Sequence, residues 1–160
     1  MNLDYTVLHK TQIAFDGWHS EREYLLGHSP ATDLSFVHHG NLITSAGVNA
    51  IWSLVTGGTS PAPFNNTTCY IAVGSSSTAA ASGNTTLGTE IARKLATVAV
   101  SGIGLTATVV YGTSDGVGTW REVGILNASS VGTLLNRAVI SDVTKNGSNV
   151  YSVVITLTLG

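Results

Sequence analysis

From Leu87 to the C-terminus the chain reads as one β-strand after another, and this run constrains the fold more than any other feature. Its last segment alternates cleanly, with Tyr151, Val153, Ile155, Leu157 and Leu159 set against Ser152, Thr156 and Thr158. That is the period-two pattern of a strand with one buried face. Leu105, Ala107, Val109 and Tyr111 share a face in the same way. Between the segments stand turn residues: Gly102 and Gly104, the stretch Gly112 to Gly118, Asn127 to Gly132, and Lys145 to Ser148. Roughly five or six such strands joined by Gly and Asn turns predict a mainly β domain, an antiparallel sandwich or barrel-like structure.

Upstream the pattern changes. Residues 69–74 read as one more strand, and Ser75 to Thr86 as a loop of small residues with too little bulk to pack a core. The stretch before them predicts the one amphipathic helix, about residues 44–56. Thr44 or Ser45 can cap its first free amides. Val48, Ile51, Trp52 and Val55 recur at helical spacing as an apolar stripe expected to face the core. Gly57 and Gly58 supply a left-handed stop. Residues 1–40 differ from the rest, holding all five histidines, five of the nine acids and the polar run from Trp18 to Tyr24. They are read as an extended N-terminal arm or strap, with Trp18, Arg22 and Tyr24 as candidate assembly contacts, and residues 41–160 as the β domain.

Charge is scarce and unevenly placed. Only 10% of the 160 residues are charged, and no Asp, Glu, Lys or Arg occurs between Asp33 and Glu90. A free surface normally carries mixed charge, whereas the centres of protein interfaces are depleted of it. The uncharged interval therefore suggests a surface packed against neighbours, a homo-oligomer included; a soluble Ser/Thr-rich β surface is the plainer alternative. Within this background Arg121 and Glu122 are adjacent. Successive strand residues point to opposite faces, so one of the two is expected to turn toward the interior or a neighbouring strand, where a charge needs a partner. Glu122 and Arg137 lie on consecutive strands and make a plausible cross-strand pair. Glu90 and Arg93 have the spacing of a helical turn. These five residues are the structural ion-pair candidates.

Several function classes find no support. The net charge of −2 and the lack of a basic run give no basis for binding nucleic acid. No stretch approaches the length of apolar sequence that spans a membrane, and the start of the chain has no signal-peptide pattern. The single cysteine, Cys69, allows neither an internal disulfide nor a cysteine-based zinc site. The histidine spacings form no i, i+4 pair and no compact ligand loop, so solvated or interface histidines are the better reading, and no metal or cofactor is expected. Acid/base catalysis needs a paired carboxylate or a nucleophile beside a base. The β domain holds four acids and no histidine, so Glu122 is read as a salt-bridge partner and the chain as no enzyme.

Taken in order, several motifs carry a resemblance. Asn41-Leu-Ile-Thr-Ser-Ala-Gly47 opens the helix, and Tyr70-Ile-Ala-Val-Gly74 is followed by the Ala/Ser/Thr loop. Leu87-Gly-Thr-Glu90 with Arg93 comes next, then Gly118-Thr-Trp-Arg-Glu-Val-Gly-Ile-Leu-Asn-Ala128, Leu135-Asn-Arg137 and Thr144-Lys145. The set, over residues 41–160, resembles small structural proteins of tailed bacteriophages, among them tail-fibre, collar and baseplate-associated proteins. The resemblance implies a virion protein made in the host cytoplasm and acting through contacts with other virion proteins of the tail, neck or capsid. With no fibre shaft or receptor-binding tip in this sequence, it implies an adaptor or attachment unit. A capsid decoration protein and a carbohydrate-binding module for a host-surface glycan are the alternatives.

Overall fold

The alternating segment at the C-terminal end lies at the middle of a sheet. The computed structural model describes residues 8–13, 34–39 and 42–158. In chain order the elements are β1 (Leu8–Ile13), β2 (Leu34–His39), β3 (Leu42–Ile43), α1 (Ser45–Val55), β4 (Tyr70–Gly74), β5 (Glu90–Leu95), β6 (Thr97–Ser101), β7 (Gly104–Tyr111), β8 (Gly118–Leu126), β9 (Leu134–Lys145) and β10 (Tyr151–Thr158). They form two five-stranded sheets, ordered β2-β1-β10-β7-β6 and β3-β9-β8-β4-β5. Every paired strand is antiparallel. The mainly β, antiparallel architecture, with one short helix among the described residues, agrees with the sequence. Two pieces of the expected arm, β1 and β2, are strands of the first sheet, with β1 paired to β10.

The main core lies between the sheets. Ala107, Val109 and Tyr111 of β7 and Tyr151, Val153, Ile155 and Leu157 of β10 come from one side. Ile71, Val73, Val123, Ile125, Ala138 and Val143 come from the other. Trp120 is buried at one end, edge-on to Tyr111 at 5.0 Å between ring centres and tilted against Tyr151 at 5.3 Å, with its indole N–H donating to the Gly116 carbonyl at 2.7 Å. Burial at such a site requires that N–H to find an acceptor. Cys69 is buried here too, and desolvation pushes its thiol up to about 11.

A smaller core of Ala72, Leu87, Leu126 and Leu134 sits on the opposite, outer face of the second sheet. Leu87 belongs to the segment between β4 and β5, so this segment covers the outer face instead of looping into solvent. By sequence, residues 87–94 lead directly into one apolar-rich strand through Val100, but the structure divides this stretch. β5 and β6 lie in different sheets, joined at the buried Ala96, whose N–H donates to the Cys69 carbonyl at 2.9 Å.

The helix departs from expectation in its orientation. Thr44 caps it as anticipated, its hydroxyl accepting from the Gly47 N–H at 2.9 Å. The residues it buries, however, are Gly47 and Ala50. Of the expected apolar stripe, Trp52 is 56% exposed and Val55 70% exposed, and Val48 and Ile51 are only partly covered. The reason is close approach. A Cβ on residue 47 would lie 2.3 Å from the Leu135 carbonyl oxygen, so the glycine brings the helix backbone against β9, where the Thr44 N–H also donates to Leu135 at 3.0 Å. The helix rests on its smallest residues and turns part of its bulkiest outward. Gly47→Ala should therefore cost about 1–3 kcal/mol through overpacking against fixed backbone, read as a lowered denaturation midpoint at unchanged m-value.

Candidate functional site

Glu122 is one of the least accessible residues in the structure. It stands on β8 opposite Gly74 of β4, on the outer face of the second sheet. The adjacent Arg121 sits at a break in the β8–β9 register and stays near the surface. A Cβ at residue 74 would meet the Glu122 carboxylate at 2.5 Å, so Gly74 makes room for it. Glu122 and Arg137 are diagonal neighbours, since Glu122 aligns with Val139 and Arg137 with Gly124. Arg137 Nε donates to Glu122 Oε2 at 2.7 Å, with both side chains buried.

The rest of the bonding goes to the segment between β4 and β5. Glu122 accepts from the backbone N–H groups of Ser76 at 3.2 Å, Gly88 at 2.8 Å and Thr89 at 2.7 Å, near both ends of that segment. Arg137 donates to the Thr78 carbonyl at 2.8 Å, the Ala79 carbonyl at 3.2 Å and Asn84 Oδ1 at 3.2 Å, along its middle. Burial pushes the Glu122 carboxyl up, but the bonds from Thr89, Gly88, Arg137 and Ser76 outweigh it and hold the pKa below its ordinary value. Such a saturated carboxylate is ill-placed to take a proton from a substrate. The pair fastens a loop.

The other ion pairs lie nearer the surface. Arg121 meets Asp142 at 3.0 Å, a partner that the sequence reading did not select. Trp120 aligns with Val143 and Glu122 with Val139, so a break in register carries Asp142 toward Arg121. Glu90 and Arg93 do pair, at 2.6 Å, but on a strand and not on a helical turn. Glu90 aligns with Gly74 and Ala92 with Val73, leaving Ile91 as an extra residue. That bulge shifts the alternation by one and puts i and i+3 on one side. Arg93 also donates to the Ala128 and Val131 carbonyls, each at 2.8 Å, holding a turn in which Val131 has φ 55°, a strained backbone for a β-branched residue. Trp18, Arg22 and Tyr24 lie outside the described residues.

Lys145, which the sequence offers only as a possible partner for Arg121 or Glu122, is a buried cation held by backbone carbonyls. Its ammonium donates to the carbonyls of Thr113 at 3.1 Å, Asn149 at 2.8 Å and Asn146 at 3.4 Å. Burial pushes its pKa down. Among the described residues no group of His, Cys, Asp or Glu has the arrangement of a metal site.

An apolar groove of about 520 Å3 opens at one end of the sandwich. Ile51 and Val55 of α1 form one wall, Val100 and Ile103 at the β6–β7 turn another, and Phe64 and Leu157 part of the lining. Val100 is 73% and Ile103 65% exposed. The signal for it was present in the uncharged interval, but the helical stripe was assigned to the core. No family model, curated protein or solved structure matches the chain.

Two predictions follow from the buried pair. Glu122→Ala and Arg137→Ala should each lose about 3–5 kcal/mol, because each leaves a buried charge without its partner. In the double variant the loss should fall short of the sum, and limited proteolysis of each single variant should cut first within residues 75–89. The pH dependence has a fixed sign. A carboxylate with a depressed folded-state pKa contributes stability above its ordinary value of 4.5 and loses it as pH falls through the folded value. The stability gap between wild type and Glu122→Ala, measured by urea titration, should be constant near neutrality and shrink below that value.

Proposed function

We propose that this chain is a structural protein of a tailed-bacteriophage virion, an adaptor or attachment unit of the tail, collar or neck that works by packing against other virion proteins. The observation that carries the reading is the surface around α1. From Leu42 to Thr89 there is no charged side chain; Trp52 is exposed on the helix, and Val55, Val100 and Ile103 expose large apolar groups around one groove. Apolar exposure of this kind marks a surface meant to be covered. The ordered motifs between Asn41 and Lys145 supply the virion. The saturated Glu122–Arg137 pair supports a structural role, since the most conspicuous charges in the domain are committed to holding a loop. Capsid decoration would draw on the same surface and would differ in position and copy number.

The test is to locate the protein in purified particles by quantitative mass spectrometry and cryo-electron microscopy. The expected result is a fixed copy number at the tail, collar or neck. Particles without the protein would overturn the reading. A Trp52→Glu variant should fold with stability within about 0.5 kcal/mol of wild type, as exposed substitutions do, and yet be lost from particles.

A further inference from the structure

The sheet edges in this domain are treated unequally. A free strand edge invites pairing with another chain, and folded proteins blunt it with charge, proline, bulges or brevity. β5, the edge of the second sheet, carries Glu90, Arg93 and Lys94 and is bulged at Ile91. β3, at that sheet's other edge, is two residues long. β6 has none of these devices. Thr97-Val-Ala-Val-Ser101 pairs with β7 over its whole length without a register break. It contains no charge and no proline, and four of its five residues are exposed.

We infer that β6 is a self-pairing edge, and that its partner is β6 of a second copy of this chain, antiparallel about a two-fold axis at Ala99. The strand is its own complement under that operation. Thr97 falls opposite Ser101 of the second copy, Val98 opposite Val100, and Ala99 opposite Ala99, as an isologous interface requires. The backbone is in phase as well. Residues of an antiparallel strand alternate in which side their N–H and C=O face. The Val98 N–H donates away from β7, to Asn66 Oδ1, so Val98 and Val100 present their backbone groups to the free edge. These are the groups that the two-fold brings together. Asn66 stands in for the missing strand at one of them, and docking exchanges its side-chain bond for a main-chain one. On the inner face Val98 packs on the core and Val100 lines the groove. The joined sheets therefore lay the two exposed Val100 side chains beside the apolar ends of both copies. A strand pair alone is small beside the roughly 1,200–2,000 Å2 of a stable interface, and the groove walls supply the remainder.

This deepens the reading above by naming the partner in the assembly as the chain itself, and the two can fail separately. A protein missing from particles that still self-pairs through β6 sinks only the virion reading. The test is sedimentation equilibrium of the full chain with an Ala99→Cys crosslink. Directly opposed non-hydrogen-bonded residues sit about 4.5 Å apart at Cα, within disulfide reach, so Ala99→Cys should form a covalent dimer on oxidation and Val131→Cys should not. Val100→Lys sets a cation opposite Val98 of the second copy, on the apolar inner face, and should weaken the dimer at least about 100-fold with an unchanged melting temperature, and Asn66→Ala should strengthen it. A wild-type chain that stays monomeric, a dimer that survives Val100→Lys, or an Ala99→Cys protein that fails to crosslink would overturn the inference.

Discussion

A carboxylate and a guanidinium with almost no access to water hold this domain's outer layer in place. The segment between β4 and β5 is built from Ser, Thr, Ala, Gly and Asn and brings one bulky apolar side chain, Leu87, to the sheet beneath it. Hydrophobic burial alone gives such a segment little reason to lie flat, and its backbone polar groups need partners once water is displaced. Glu122 answers the donors near its two ends, and Arg137 answers acceptors along its middle. Each charge satisfies the other and the loop at once, the condition under which a buried pair is tolerated. Gly74 then becomes a structural requirement, since any side chain there would occupy the carboxylate's place.

The parts of this arrangement that local chemistry dictates were readable in the sequence. Alternation in β7 and β10, the Thr44 cap and the pairing of Glu122 with Arg137 all follow from period, capping or strand adjacency. What was not readable depends on register. Arg121 finds Asp142, and the expected Glu90–Arg93 pair forms on a strand instead of a helical turn, only because the ladders slip, and a slip leaves no periodic trace. The direction of Glu122 was hidden for a related reason. A buried strand residue suggests the sandwich interior, whereas here a second burial surface exists on the outer face, made by a loop whose composition disguises it.

The helix shows how steric fit can override apolar patterning. The amphipathic stripe is real, but the face carrying Gly47 and Ala50 approaches β9 more closely than a face of branched and aromatic residues could. Dense packing favours that contact. The consequence is a half-used stripe, with Ile51 and Val55 lining a groove and Trp52 at the surface. An apolar face turned outward by packing, in a stretch from which charge is missing, is left available to a partner.

The same economy separates the two sides of the corner at Ala96. Before it, β5 carries three charges and a bulge; after it, β6 carries neither. These strands are adjacent in sequence and both lie on edges, so composition along the chain alone does not account for the contrast. The charges on β5 have internal work, since Arg93 supports the 128–131 turn and Lys94 pairs with Asp115, and they close that edge as a by-product. β6 has no such duty and could carry a lysine on its free side at little cost to the fold. It carries Val100 there instead, beside an apolar groove, which is the composition that the proposed strand pairing requires.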